Sequence, residues 1–284
     1  MPDPTIGWHP HYDVWALVLV LAGGYLVALR RWGPAHVSPG ERAATRGQVA
    51  SFLLGVATLW VAADWPVHEL AEERLLSVHM VQHLLMSLIA PPLLLAGTPD
   101  WLLRSLLRPR WLLAVVRQLA RPLPALLIFN AWIAVTHWPA LMGLAVGSEA
   151  VHLGVHSVLV GTALLMWMPV LSPMVEIPRL RYPGQMLYLF AQSIVPTVPA
   201  SFLTFGDSPL YPFYGLAGAM FGVDAVTDQR IAGLIMKLLG GLILWGFIAA
   251  LFFRWNREEE LAGTDAPVWQ ELEAELHRSG TTDR

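Results

Sequence analysis

The sequence contains no cysteine among its 284 residues. This absence excludes disulfide bonds, thiolate zinc sites, iron–sulfur clusters and any relay that passes a metal from thiol to thiol. Histidine imidazoles and methionine thioethers remain as candidate ligands for a transition metal such as copper.

Charged residues are also scarce, at 14% of the chain, whereas soluble domains average about 25%. The nine apolar residue types make up 55% of the chain, and the mean hydropathy is +0.52. These values predict a polytopic membrane protein rather than a compact soluble domain. The net charge of −3 provides no large basic surface, so nucleic acid is not expected as a partner.

Seven apolar stretches are long enough to cross a bilayer, which takes about 20 residues. They lie at 13–31, 46–65, 76–97, 122–141, 150–171, 184–205 and 229–254. We therefore predict an all-α bundle of seven transmembrane helices over residues 13–255, in the plasma membrane. In this prediction residues 1–12 are an extracytoplasmic segment and residues 256–284 are a cytoplasmic tail.

The basic residues divide unevenly between the two sides of the predicted bundle. Arg74 and Arg230 fall on the side of the amino terminus, and Lys237 lies within the last stretch. The other 15 of the 18 basic residues fall in the opposite connections and the tail: Arg30, Arg31, Arg42, Arg46, Arg104, Arg108, Arg110, Arg117, Arg121, Arg179, Arg181, Arg254, Arg257, Arg278 and Arg284. Because positively charged loops stay in the cytoplasm, we predict the amino terminus outside and the carboxyl terminus inside.

Two pairs of histidines stand four residues apart in the third and fifth stretches, His79 with His83 and His152 with His156. Residues at this spacing share one face of a helix. Both stretches enter from the same predicted side, so we expect the pairs to face each other in the outer half of the membrane. Ionisable residues in a membrane usually mark function, which favours a metal or haem site, although the spacing also fits polar packing or a proton relay.

Three further residues are candidates for the same site. His137 lies near the outer end of the fourth stretch, while Asp228 and Met236 lie at the start of the last one. A site of histidine and methionine without cysteine suits copper as Cu(I). Asp228 is interpreted either as a neighbour that fixes an imidazole tautomer or as a helix cap.

Other ionisable residues have different predicted surroundings. We interpret His11 and His68 as solvated, and Asp64 as a second candidate partner of an imidazole. Lys237 is the only lysine and lies near mid-bilayer, where an ammonium facing lipid is costly. We predict that Lys237 faces the bundle and pairs with a polar group.

Several short motifs follow one another along the chain: His79-Met80-Val81-Gln82-His83-Leu84-Leu85, Ala90-Pro91-Pro92-Leu93-Leu94, Gly97-Thr98-Pro99, Thr136-His137-Trp138-Pro139, His152 with His156, Pro169-Val170-Leu171-Ser172-Pro173, and Asp228-Gln229 followed by Ala232-Gly233-Leu234-Ile235-Met236. In these motifs the sequence over about 46–254 resembles the caa3-type cytochrome c oxidase assembly factor family, called CtaG in its Gram-positive form. It departs from the family pattern after Met236, where Lys237-Leu238-Leu239 stand in place of an aromatic residue and a proline.

The resemblance implies a seven-helix membrane protein that helps to mature the copper centre of a haem–copper oxidase. It implies metal-site roles for residues of the motifs, namely His79, His83, His137, His152, His156 and Met236. We therefore expect a non-enzymatic copper metallochaperone whose partners, besides the lipid bilayer, are an oxidase subunit and a soluble copper donor.

Three other functions compete with this interpretation. A copper transporter should carry ligands into the cytoplasmic half, where ionisable residues are sparse. A b-type haem protein that moves electrons across the membrane usually has ligands at both faces, whereas both histidine pairs lie near one. A metal-dependent enzyme needs a general base, and the outer aspartates are the only candidates.

Overall fold

The computed structural model describes residues 10–214 and 222–279, and its regular elements are helical. The long segments, called the first to seventh spans below, are Tyr12–Arg31, Arg46–Ala63, Leu76–Gly97, Pro122–Thr136, Glu149–Leu171, Tyr182–Phe205 and Ala225–Leu261. The shorter helices are Gly33–Ala35, Val67–Glu69, Asp100–Leu106, Arg110–Leu119, Pro139–Val146 and Pro212–Tyr214. Three π-helical turns lie at Leu70–Arg74, Leu85–Ile89 and Ile235–Leu239, and the helix of the seventh span continues to Ser279.

Six of the spans are long and apolar enough to cross a membrane by themselves. The fourth span is long enough to cross only together with the helix before it, Arg110–Leu119, from which it is bent by 78°. Counting this bent pair as one span gives seven crossings. The predicted all-helical membrane bundle is thus confirmed, with six or seven crossings. Its orientation stays a prediction of the arginine distribution.

The fourth span is shorter than the predicted stretch 122–141, because it ends at Thr136 after 15 residues. The residue that precedes a proline is pushed out of the helical region, and Trp138 before Pro139 is extended, with φ −72° and ψ 125°. A new short helix, Pro139–Val146, begins there. A 15-residue helix rises only about 22 Å, which is less than the hydrocarbon thickness of about 30 Å.

The surface of the bundle is strongly apolar. Leu19, Leu187, Leu242 and Phe253 expose 69–72% of their surface, although each belongs to a long helix. Large continuous apolar surfaces are rare on soluble monomers and are typical of proteins that contact lipid. The chain is accordingly a multi-pass membrane protein.

The third span lies at the centre of the bundle and packs against the second, fifth and seventh spans. It is the most buried span, with 67% of its apolar window inside the protein. A β-carbon on Gly97 would lie 2.3 Å from the backbone nitrogen of Phe52, so only glycine allows this close approach of the second and third spans.

Prolines in the third span free a carbonyl that a neighbouring span then binds. Pro91 has no N–H, so it cannot donate to the carbonyl of Ser87 four residues earlier. The indole Nε1 of Trp167 on the fifth span donates to that carbonyl at 3.0 Å, and Trp167 is fully buried. This bond ties the third span to the fifth at the turn that follows His83.

Candidate metal centre

The four paired histidines of the third and fifth spans lie together, as predicted. Ring centroids are 4.3 Å apart for His79 and His83, and 4.0 Å apart for His152 and His156. Between the spans, the ring of His156 lies 5.4 Å from His83 and 6.2 Å from His79. All four residues are at most 8% exposed, so the two pairs face each other inside the bundle.

His137, at the end of the fourth span, joins this group. Its ring centroid lies 6.3 Å from that of His83. Its Nδ1 lies 2.7 Å from the carbonyl oxygen of Ile133, and because a carbonyl can only accept, Nδ1 must carry the proton. The lone pair on Nε2 is then free, which is the arrangement that metal-binding histidines commonly have. We call these five histidines, His79, His83, His137, His152 and His156, the imidazole cluster.

Ring nitrogens of the imidazole cluster are buried without a hydrogen-bond partner among the described residues. They are Nδ1 of His79, both nitrogens of His83, and Nε2 of His137, His152 and His156. Buried polar atoms are nearly always paired in native proteins, so a group of unpaired ones calls for a bound ion or water. The shared need of these nitrogens for a partner is what makes the cluster a candidate metal centre.

Thioethers line a cavity that two of the imidazoles also line. A cavity of about 50 Å³ is lined by His83 and His137 together with Met80, Met166 and Met236. This volume is enough for an ion with a water molecule. Met236, one of the predicted site residues, is therefore beside two of the histidines, and its role as a ligand stays a prediction.

All three π-helical turns lie next to this region. One directly follows His83, one contains Met236, and one immediately precedes the third span. Such turns insert one residue, shift the faces of the helix and frequently occur at functional sites. No spacing in the sequence marks them.

His68 is not solvated, which corrects the prediction. The short helix Val67–Glu69 and the π turn after it fold over the end of the bundle, so His68 is only 20% exposed. Glu72 Oε1 lies 3.1 Å from Nδ1 of His68 and 2.5 Å from Nδ1 of His152. Glu72 is not among the predicted site residues, although its i,i+4 spacing from His68 is a usable signal.

Burial, together with the nearby rings of His152 and His11, lowers the pKa of His68 to about 4. A histidine with such a pKa is neutral at pH 7 and can donate a lone pair. His11 was also predicted to be solvated, but its side chain is only 21% exposed. Its ring centroid lies 4.5 Å from that of His68, because the first span begins beside this segment.

Lys237 does not face the bundle, which is a second correction. It is exposed, and it has neither a hydrogen bond nor an ion pair within residues 10–214 and 222–279. It lies in the π turn Ile235–Leu239, in which Met236 is buried and Lys237 is on the outer surface. The lysine borders the cavity that His83 and His137 line.

Comparison with known proteins gives the family. A model of the cytochrome c oxidase caa3 assembly factor family matches residues 23–258. The chain belongs to this family. No curated protein and no solved structure matches it.

The assembly factor family is thus the one that the motifs predict, and the match extends beyond residues 46–254 at both ends. Membership makes this membrane protein an assembly factor for cytochrome c oxidase and implies that it interacts with the oxidase. The family does not by itself specify which side chains bind a metal. The positions of the motif residues in the structure indicate which of them could do so.

Asp228, in the last family motif, caps a helix other than its own. Its carboxylate accepts hydrogen bonds from the backbone N–H groups of Leu76 at 2.6 Å and Ser77 at 3.2 Å. These are the first residues of the third span, just before His79. The capping interpretation of Asp228 therefore fits the structure, and a role as a metal neighbour stays a prediction.

Asp64 contacts an imidazole, but not one of the paired histidines. It accepts hydrogen bonds from His11 Nδ1 at 3.2 Å, from the indoles of Trp15 and Trp60 at 2.8 and 2.7 Å, and from the N–H of Trp65 at 2.9 Å. With four donors this carboxylate fastens the first span to the end of the second. It is a structural group.

Proposed function

We propose that this assembly factor binds copper, as Cu(I), in the imidazole cluster and helps to deliver it to the copper centre of the oxidase. The observation that carries the proposal is the set of buried imidazole nitrogens without partners. Removing so many polar atoms from solvent is costly unless a ligand occupies them. Copper is then the cargo of the protein rather than a resident cofactor.

The donor set favours copper over the other metals that imidazole binds. Imidazole suits copper, zinc, iron and nickel, whereas thioether selects Cu(I). Met80, Met166 and Met236 line the cavity beside His83 and His137. Nδ1 of His137 is held by a carbonyl, which aims its Nε2 lone pair for coordination.

The deeper part of the bundle favours delivery at one face over transport across the membrane. The buried polar groups there are amides and hydroxyls that bind one another: Asn130 donates to Gln192 at 2.6 Å, and Gln192 donates to Tyr188 at 3.0 Å. Tyr188 donates to the carbonyl of Met166 at 2.8 Å. Among the described residues, the buried histidines and carboxylates all lie at the end of the bundle that holds the cluster.

A competition assay on the detergent-purified protein tests the proposal. Cu(I) affinity is measured without oxygen against a chromogenic Cu(I) chelator, for the wild type, His83→Leu and His156→Leu. We expect each variant to bind Cu(I) at least about 100-fold more weakly, since even a residue that only orients a ligand is worth 10–100-fold.

His36→Leu is the matched control. His36 is exposed, and its Nδ1 donates to the carbonyl of Trp32 at 2.8 Å, at the other end of the bundle. Its loss should leave Cu(I) affinity unchanged. Wild-type affinity in both cluster variants would overturn the proposal, as would haem absorption bands in the purified protein.

In cells that express the oxidase, the two cluster variants should also lower the copper content of the purified oxidase, while His36→Leu should not. Normal copper content with a cluster variant that binds no Cu(I) would separate metal binding from assembly and refute the delivery step.

A further inference from the structure

We propose a second metal site, formed by His68, Glu72 and His152, that takes a divalent transition cation such as Zn(II) or Cu(II). We call it the mouth site, because it lies between the surface and the imidazole cluster and shares His152 with that cluster. Its place as an entrance rests on the proposed function, whereas its ability to bind a divalent cation does not.

The geometry of the mouth site is close to that of a coordinated metal. One ligand atom from each residue lies within 4.8 Å of the other two. Metal bonds of about 2.0–2.2 Å in a tetrahedral site place the ligand atoms about 3.3–3.6 Å apart. Glu72 Oε1 lies 2.5 Å from Nδ1 of His152 and 3.1 Å from Nδ1 of His68, so these atoms must move apart by about 0.2–1.1 Å to hold a metal between them.

The donors of the mouth site differ from those of the imidazole cluster. Two imidazoles and one carboxylate form a typical ligand set for zinc and for other divalent ions of similar size, with a fourth position open. A carboxylate is a hard ligand and is disfavoured by Cu(I), which prefers imidazole and thioether. Cu(I) should therefore prefer the imidazole cluster, and the carboxylate should favour a divalent cation at the mouth site.

The polar atoms around the mouth site also point to a ligand. Nε2 of His152 is buried without a hydrogen-bond partner in the described part of the chain. A neutral imidazole has one lone pair, so His152 can bind a metal at the mouth site through Nδ1 with its proton on Nε2, or at the cluster through Nε2 with its proton on Nδ1. Both carboxylate oxygens of Glu69 are buried and accept no hydrogen bond from the described residues. Nε2 of His11 lies 3.9 Å from Oε1, beyond hydrogen-bond distance, so a cation bound nearby would be attracted to these oxygens.

Access to the mouth site is graded. The side chains of His68 and Glu72 are 20% and 19% exposed, and that of His152 is 9% exposed. An ion can thus reach the first two residues from the surface and meet the third at the top of the cluster. Residues His68 and Glu72 stand one turn apart, and the turn between them is partly π-helical.

A structural explanation makes a different prediction. If Glu72 only accepts protons from two imidazoles, the three residues are a hydrogen-bonded clasp and bind no metal. Titration of the full chain with Co(II) separates the two, because tetrahedral Co(II) gives intense visible absorption bands that octahedral aqueous Co(II) lacks. Competition with Zn(II) then gives the affinity for zinc.

We expect the wild type to show the tetrahedral Co(II) spectrum with one Co(II) per chain. Glu72→Gln keeps the size of the side chain and removes the charged ligand, so it should weaken Co(II) and Zn(II) binding at least 30-fold. Cu(I) affinity at the imidazole cluster should change less than threefold. His68→Gln is the second variant, with the same expectation, should Glu72→Gln fail to fold.

Glu149→Gln is the matched control. Glu149 is an exposed carboxylate in the first turn of the fifth span, the helix that carries His152, and its replacement should leave the Co(II) spectrum unchanged. A wild type without tetrahedral Co(II) bands, or a Glu72→Gln variant with wild-type affinity, overturns the mouth site and leaves the copper proposal standing. Loss of Cu(I) binding is judged separately through His83→Leu.

Discussion

Two regions at the same end of the bundle differ in whether their buried polar side chains have hydrogen-bond partners. At the start of the seventh span, Asp228 accepts two backbone N–H groups, and Gln229 accepts from the N–H of Leu210 at 2.6 Å. In the imidazole cluster, His83 has two buried nitrogens and no hydrogen-bond partner among the residues described. Both regions contain motifs of one family. The polar groups at the start of the seventh span have hydrogen-bond partners within the chain, whereas ring nitrogens of the imidazole cluster lack them among the described residues.

The difference separates the residues that build the site from those that receive its ligand. A buried polar group with all its hydrogen bonds made stabilises one conformation, whereas a buried group with a free lone pair is prepared for a partner that the chain does not supply. Asp228 and Gln229 fix the ends of the third and sixth spans, and the histidines use the position that results.

The largest effect is expected from Asp228→Ala. The substitution leaves the N–H groups of Leu76 and Ser77 without a partner, and hydrogen bonds to a charged group contribute about 1.5–3 kcal/mol each. We expect the free energy of unfolding to fall by about 3–4 kcal/mol, measured by denaturant titration in detergent.

His83→Leu is the corresponding substitution in the imidazole cluster, to be compared with Asp228→Ala. It replaces a buried side chain that has no partner by an apolar one of similar size, so the free energy of unfolding should stay equal or rise. Equal losses from Asp228→Ala and His83→Leu would break the comparison, because they would show that both residues are structural.

The sequence is enough to predict the features that depend on residue spacing within a helix. The i,i+4 spacing correctly puts His79 and His83 on one face, and their shared entry side correctly matches them with His152 and His156. Apolar length also locates the spans except for the end of the fourth, and the missing N–H of Pro91 explains why a neighbour must bind the carbonyl of Ser87. These inferences need only contacts within a helix or between helices of known depth.

The rest depends on contacts that no local pattern encodes. Leu76 lies 152 residues before Asp228, and nothing in either segment specifies the pairing. The outward position of Lys237 depends on how the seventh span is turned against the third and sixth spans, which its own segment does not show. His68 reaches the cluster only because residues 67–74 fold back over the end of the bundle.

Lys237→Leu tests a polar group that lies in neither of the two compared regions. Its effect is expected to be smaller than that of Asp228→Ala. The ammonium is exposed on the apolar surface without an ion pair in the described structure, and a lysine at the centre of a membrane helix costs about 2.5–3.5 kcal/mol to insert. Because its long side chain can reach along the surface, we expect the substitution to favour insertion by about 2.5 kcal/mol, the lower end of that range.

A membrane-insertion assay of the seventh span measures this change, and Lys237→Arg, which keeps the charge, is its control. Cu(I) affinity should stay within about twofold of wild type, since lysine is no ligand while protonated. If insertion does not improve, the long side chain reaches the membrane interface and its charge carries no cost in this span. If Cu(I) affinity collapses, the lysine belongs to the site after all.

The smallest effect is expected from Asp64, the other carboxylate with a full set of donors. Partial burial alone would raise the pKa of Asp64, but the hydrogen bonds from Trp15, from the N–H of Trp65, and from His11 and Trp60 outweigh it and hold the pKa below its ordinary value. The lowered pKa means that the carboxylate stabilises the fold when ionised. This stabilisation is complete above the unfolded-state pKa of about 3.9 and is lost as the pH falls through the lower, folded-state pKa.

Asp64→Asn keeps one acceptor oxygen and loses the charge, so at pH 6 it should unfold about 1 kcal/mol more easily than the wild type. Unfolding measured from pH 6 down to pH 3 should show that difference shrinking on acidification, whereas Asp13→Asn, an exposed carboxylate of the first span, should follow the wild type throughout. A difference that grows towards low pH would mean that the folded-state pKa of Asp64 is raised rather than lowered, so that its hydrogen bonds do not stabilise the ionised carboxylate.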